Sequence, residues 1–226
     1  MIRLDKLLAG AGFGSRKDVK ALIKNVTVDG EAGLRPETKV NPETAEIYVN
    51  DTLVEYKKFT YIIMNKPTGV ISATRDRHEK TVIDLLDDKH RKMRLFPVGR
   101  LDKDTTGLLI LTNDGDFAHR ALSPNKHVEK VYHATVSRSV TPQDVQAFAK
   151  GIKLADGYCC RSAGLRDLGG QVAEVVIFEG KFHQVKRMFL AVGIQVLALK
   201  RVAFGGIKLD DSLELGQWRV LQNFDF

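Results

Sequence analysis

The chain has 226 residues, 43% of them hydrophobic and 28% charged, with a formal net charge of +7. This composition excludes a disordered chain, and no run approaches the roughly 20 apolar residues of a membrane span, so a soluble globular protein with no membrane partner is expected. The basic surplus suits a polyanionic partner, and the two adjacent cysteines, Cys159 and Cys160, exclude a disulfide framework and fit a reducing cytoplasm.

Residues 1–10 alternate charged and apolar side chains, so no secretory leader is expected there. Leu4, Leu7, Leu8 and Ala11 follow the i, i+3, i+4, i+7 rule of a helix, which Gly12-Phe13-Gly14 ends. Ser15, with Asp18 three residues on, predicts a capped second helix. At 100° per residue, Arg16, Lys17, Lys20 and Lys24 share one arc, while Val19, Leu22 and Ile23 share another. One face is cationic and the other can pack. Residues 1–24 carry six basic and two acidic side chains, whereas residues 25–56 carry two basic and seven acidic ones. Val26-Thr27-Val28 running into Asp29-Gly30, and residues 46–50, read as strands. Lys57-Lys58 marks a boundary between units 1–58 and 59–226.

Beyond it, short apolar runs predict strands over 61–64, 108–111, 131–136, 172–178 and 196–203. Thr141-Pro142-Gln143-Asp144 opens a helix to Lys150, and a second helix over 185–192 closes at Gly193. Strands followed irregularly by helices predict an α+β fold, not a βαβ repeat.

Two segments could carry chemistry. The first is the amino-terminal helix pair, whose basic face reads either as a phosphate-binding row or as ordinary solvated surface. The second is Gly99-Arg100-Leu101-Asp102-Lys103-Asp104-Thr105-Thr106-Gly107-Leu108-Leu109, a loop with two carboxylates just before an apolar strand. On pattern alone Asp102 either caps a turn or acts in a site, and a paired-carboxylate glycosidase is a third option. The six histidines, His78, His90, His119, His127, His133 and His183, lack metal-ligand spacing, so no metal is expected. Cys159-Cys160 reads as packing.

The stretch from Arg3-Leu4-Asp5-Lys6-Leu7-Leu8 through Ser15-Arg16-Lys17 to Val26-Thr27-Val28-Asp29-Gly30 resembles the S4 RNA-binding domain. That resemblance implies RNA contacts at Arg3, Lys6, Ser15, Arg16, Lys17, Lys20 and Lys24. The Asp102 loop resembles the signature Gly-Arg-Leu-Asp-x-x-Thr-x-Gly-Leu-Leu of the rRNA pseudouridine synthases. Asn65-Lys66-Pro67-Thr68-Gly69-Val70, Glu129-Lys130-Val131-Tyr132 and residues 179–189 resemble that family's further motifs, in the same order. An S4-like domain followed by an α+β catalytic domain with a mainly antiparallel sheet is thereby implied.

The same resemblance implies roles. Asp102 matches the catalytic aspartate, a carboxylate able to act as nucleophile while uracil leaves its ribose, turns and rejoins through carbon 5. Attack on the ring, attack on the ribose and a route without a lasting adduct all stay open. No cofactor is implied, because bond cleavage and re-formation balance. Arg100 matches an arginine that displaces the target base, with a plain phosphate contact as the other reading. Tyr132 matches the aromatic that packs on the flipped uracil, with a core tyrosine as the other reading. Lys186 matches the cation beside the aspartate, Arg187 is expected on RNA phosphate, and Lys103 and Asp104 are expected to be loop residues. His183 is left to RNA or structure. The segments look closer to small-subunit than to large-subunit enzymes, so the implied partner is 16S rRNA, free or in a partly assembled subunit, met by a monomer. The rivals are a noncatalytic S4-type RNA-binding protein, a large-subunit synthase and a nucleosidase that releases free uracil.

Overall fold

A computed structural model describes residues 1–222, so the last four residues of the expected second unit lie outside the described residues. The first helix spans Leu4–Gly10 and the second Arg16–Leu22, continued by a 3-10 turn over Ile23–Asn25. The Ser15 cap forms as a reciprocal pair. Ser15 Oγ accepts from the Asp18 backbone N–H at 3.3 Å, and Asp18 Oδ2 accepts from the Ser15 N–H at 2.8 Å. Strand Val26–Val28 pairs with Ile47–Val49, which pairs with Thr52–Leu53. Leu4, Leu7, Leu8, Val19, Val26, Ile47 and Val49 bury their side chains together, and every buried member of this cluster precedes residue 50. Lys17, Lys20 and Lys24 are exposed, as the helical phase requires.

Residues after 60 build one large sheet. Its strand order is Gly164–Gly169, Val172–Ile177, Lys130–Val136, Val196–Phe204, Thr106–Thr112, Tyr61–Lys66, Trp218–Val220. Along that order every pairing is antiparallel except the short parallel contact between Thr106–Thr112 and Val196–Phe204. The sheet is therefore mostly antiparallel in an α+β setting, as expected. The run Leu108-Leu109-Ile110-Leu111 is apolar without alternation because both of its faces are covered. Leu109 and Leu111 join Ile62, Met64, Phe148 and Phe189 on one face; Leu108 and Ile110 join Ile63 and Phe117 on the other. Phe148 and Phe189 belong to helices Pro142–Lys150 and Gln184–Ala191, and their rings meet at 5.1 Å. Each is fully buried and contributes roughly 1.5–3 kcal/mol.

The sequence signals missed helix Gly115–Leu122, which covers the second face and is capped by Asp114 Oδ1 accepting from Phe117 N–H at 3.0 Å. They also missed the polar edge strand Gly164–Gly169 and the strand Trp218–Val220. The packing role given to both cysteines holds for Cys160 only, since Cys159 is exposed.

One row of paired residues crosses the sheet: Lys66 opposite Gly107, Gly107 opposite Arg201, Arg201 opposite Tyr132. Gly107 has a positive φ of 99°, and a Cβ there would lie 2.2 Å from the Arg201 carbonyl oxygen. Only glycine lets the two strands meet here. This row is the base of the site.

Candidate active site

The loop that carries Asp102 is fixed from below. Lys66 ends strand Tyr61–Lys66 fully buried, and its ammonium donates to the carbonyls of Pro67, Asp102 and Thr105, each at 3.0 Å, and of Lys103 at 3.4 Å. Burial pulls the Lys66 pKa down to about 8, while Asp104 and Asp102 oppose that fall. A second brace is Ser72, whose hydroxyl donates to Leu101 O at 2.9 Å and accepts from Leu101 N–H at 3.0 Å. The turn closes through Thr105 N–H on Asp102 O at 3.0 Å. Neither Lys66 nor Ser72 was assigned a role from sequence. A lysine after an apolar strand gives no sign that four carbonyls will surround it.

With its backbone held, Asp102 presents a carboxylate that is 28% exposed. Lys186 Nζ lies 3.3 Å from its Oδ2 and His183 Nε2 lies 3.6 Å from its Oδ1. Lys186 sits in the first turn of helix Gln184–Ala191, and His183 precedes that helix in the left-handed conformation, φ 49°. The position of this helix start is set by Gln184. Its amide donates to Glu179 Oε1 at 2.7 Å and accepts from Lys181 N–H at 2.9 Å.

Asp104 corrects one expectation. It is more than a turn residue, because Lys186 Nζ approaches its Oδ1 to 2.5 Å, closer than it approaches Asp102. That hydrogen bond holds the Asp104 pKa below the usual carboxylate range. Lys186 thus bridges two carboxylates that the sequence separates from it by more than eighty positions.

Asp102 borders a cavity of about 770 Å³, also lined by Arg100, Leu101, Tyr132 and Phe182. Tyr132 is 7% exposed and Arg100 is exposed at the rim. Phe182 is 75% exposed and stacks on His183 with ring centroids 3.8 Å apart. Arg187, expected on phosphate, is instead ion-paired with Asp156 and donates to Phe182 O at 3.2 Å. Its guanidinium is engaged within the chain, because the helix turns it toward the neighbouring loop.

The amino-terminal candidates are also divided by the geometry. Arg3 is held on the buried Asp5 by hydrogen bonds of 3.1 and 2.8 Å. The Ser15 hydroxyl is used in its cap, donating to Asp18 Oδ2 at 2.7 Å. Lys6 and Arg16 line a groove of about 780 Å³ together with Lys58 and Arg94, so this groove draws on both sides of the Lys57-Lys58 boundary. Lys17, Lys20 and Lys24 point outward with no ion pair among the described residues. No group of three or more His, Cys, Asp or Glu able to hold a metal occurs among the described residues. Among them, no helix is long and apolar enough to cross a membrane.

Comparison with known proteins places this geometry in a family. The family described as RNA pseudouridylate synthase matches residues 60–191, the span that holds Lys66, Asp102, Tyr132 and Lys186. An uncharacterized RNA pseudouridine synthase of Bacillus subtilis, YtzG, is 45% identical over 97% of this chain and 95% of the relative. The ribosomal small subunit pseudouridine synthase A of Escherichia coli is 38% identical over 97% of this chain and 96% of that one. A crystal structure of a pseudouridylate synthase superposes with a TM-score of 0.69 at 35% identity, covering 98% of this chain and 96% of the other. The chain belongs to the RNA pseudouridine synthases, isomerases that convert uridine in RNA to pseudouridine.

Proposed function

We propose that the chain isomerises a uridine of 16S small-subunit rRNA, with Asp102 as the nucleophile. The observation that carries this reading is the Asp102 carboxylate. It sits at the edge of the cavity, 3.3 Å from Lys186, on a loop whose carbonyls are gripped by Lys66. A nucleophile needs to be held in place, and Lys186 sets an opposite charge beside the carboxylate. Tyr132, on the cavity wall, offers a ring face to a flipped uracil, and Arg100 at the rim fills the gap left in the RNA stack. Cleavage and re-formation of one bond need no redox partner, so no cofactor is required. The likeness to the Escherichia coli enzyme, named for the ribosomal small subunit, supports 16S rRNA as the substrate.

In the same reading, residues 1–58 form an S4-like RNA-binding domain, and residues 59–226 form the catalytic domain. The exposed Lys17, Lys20 and Lys24 and the groove at Lys6 and Arg16 contact phosphates. The protein acts as a monomer in the cytoplasm, on free rRNA or a partly assembled subunit. The test is to incubate the purified chain with 16S and 23S transcripts separately and map pseudouridine in each. Modification of one or a few 16S positions is expected. Modification confined to 23S RNA would move the substrate to the large subunit, and release of free uracil would make the chain a nucleosidase.

A further inference from the structure

Two buried cations on the cavity wall have no part in the reading above. Lys130 and Arg201 both line the cavity, and they are 9% and 2% exposed. They flank Tyr132. Lys130 lies two residues before it on the same strand and so leaves from the same face, while Arg201 is its cross-strand partner. Lys130 Nζ donates to Val128 O at 3.0 Å, and Arg201 Nε donates to Leu108 O at 2.8 Å. Both cations approach the Phe204 ring, at 5.4 and 5.2 Å from its centroid.

Carbonyl dipoles and a ring face are weak compensation for two charges out of water. Neither cation forms an ion pair with a carboxylate among the described residues, and Arg201 Nη2 is buried there without any hydrogen-bond partner. The carboxylate that acts on Lys130 is Glu179, and its oxygens are already taken. They accept from the Tyr158 hydroxyl at 2.7 Å, the Arg161 N–H at 2.9 Å and the Gln184 amide at 2.7 Å. Among the described residues, one carboxylate acting against two cations leaves a positive balance. Burial pulls the Lys130 pKa down to about 8, Arg201 adds to the fall, and Glu179 opposes it. Uncompensated buried charge is costly unless a bound group completes it.

We propose that Lys130 and Arg201 form an oxyanion subsite beside Tyr132, which takes a negatively charged oxygen of the target nucleotide. This rests on the reading of the substrate as uridine in RNA. Two oxygens of that nucleotide have the required chemistry. One is a backbone phosphodiester oxygen. The other belongs to the uracil ring, which takes the electron pair when the bond from N1 to C1′ breaks. It holds that charge until C5 joins C1′, C5 loses its proton and N1 gains one. Donors already in place and themselves largely withdrawn from water stabilise either charge without reorganising.

The test uses two pairs of small probes with the full chain at neutral pH, measured by calorimetric titration. Uridine 5′-monophosphate is compared with uridine, and 5-nitrouracil, whose ring is readily an anion, with uracil. At least one anion is expected to bind about tenfold or more tightly than its neutral partner, as a charge-assisted hydrogen bond implies. Preference in the first pair assigns the phosphate, and preference in the second assigns the ring. Lys130→Met should abolish the preference and Lys130→Arg should keep much of it, with melting curves confirming that both fold. Arg201→Met should act like Lys130→Met, and the Lys130 variants decide the matter if it fails to fold. Equal or absent binding within both pairs, or a preference that survives Lys130→Met, overturns the subsite and leaves these cations as packing for Phe204. Pseudouridine formation by the unaltered chain is assayed alongside. An active synthase without the anion preference sinks only the subsite, whereas a chain that makes no pseudouridine sinks the proposed function.

Discussion

The second helix and the cavity wall use the same residue types in opposite ways. On Arg16–Leu22 and the turn after it, Lys17, Lys20 and Lys24 stand in solvent, and the apolar side chains opposite them do the packing. On the large sheet, at the cavity wall and beneath the Asp102 loop, Lys130, Arg201 and Lys66 are buried, two of them with pKa values pulled down to about 8; Lys66 donates to four carbonyls, Lys130 and Arg201 to one each. Exposed cations are cheap to keep, add affinity for any polyanion and are screened by salt. Buried cations cost stability and persist where position matters more than total charge. The proposed function therefore assigns holding RNA to the first set and acting on one nucleotide to the second, and that separation can be tested from both sides.

The largest effect short of removing Asp102 itself is expected from Lys186→Met. It keeps most of the side-chain length but leaves Asp102 and Asp104 facing each other without their shared cation. The rate should fall by about 10²–10³-fold, the cost of losing one preorganised electrostatic partner. Lys186→Arg should retain much of the activity. Single-turnover tritium release from labelled RNA measures both, and a Lys186→Met enzyme with an unchanged rate would reassign Lys186 to structure.

Next comes Lys66→Met. It orphans four carbonyls under the loop, so a loss of about 3 kcal/mol is expected together with a slower reaction. Urea unfolding and the same rate assay read the two losses. A variant that loses stability but reacts normally would show that Lys66 holds the fold and not the loop geometry. Gly107→Ala should follow, since its Cβ would meet the Arg201 carbonyl at 2.2 Å and the position has a positive φ. Destabilisation of about 1–3 kcal/mol is expected in denaturant melts. Ordinary stability in that variant would mean that the two strands separate easily at this point.

How much of this was legible in the sequence varies with the range of the interaction. The Ser15 cap and the Leu4, Leu7, Leu8 face are local, so spacing alone exposes them. The run at 108–111 announces a strand, and the structure adds that both of its faces are covered. Helix Gly115–Leu122 was hidden because Asn113-Asp114-Gly115 also reads as a turn and the helix is only two turns long. The approach of Lys186 to Asp102 came only from resemblance, because nothing local links positions so far apart. Its closer contact with Asp104, and the cage of carbonyls around Lys66, were not legible at all. They depend on where the sheet row Lys66, Gly107, Arg201 and Tyr132 brings separate segments together.

From the RNA-holding side the expected effect is smaller. Replacing Lys17, Lys20 and Lys24 together by Ala should weaken RNA binding severalfold at low salt. The slope of log affinity against log salt should fall by about two, as phosphate contacts are lost. The rate at saturating RNA should stay near that of the unaltered chain. Filter binding across a salt series checks this, and an unchanged slope would return these lysines to ordinary solvated surface.

The most direct measurement is made on Asp102→Asn, with pseudouridine formation and RNA affinity determined on one preparation. The substitution keeps the size and shape of the side chain and removes its charge and nucleophilicity. No pseudouridine is expected even at saturating RNA and long times, while affinity stays within about threefold because phosphate contacts elsewhere supply most of it. Substantial turnover by Asp102→Asn would contradict the account, since the carboxylate held by Lys186 over the cavity would then not be the reacting group.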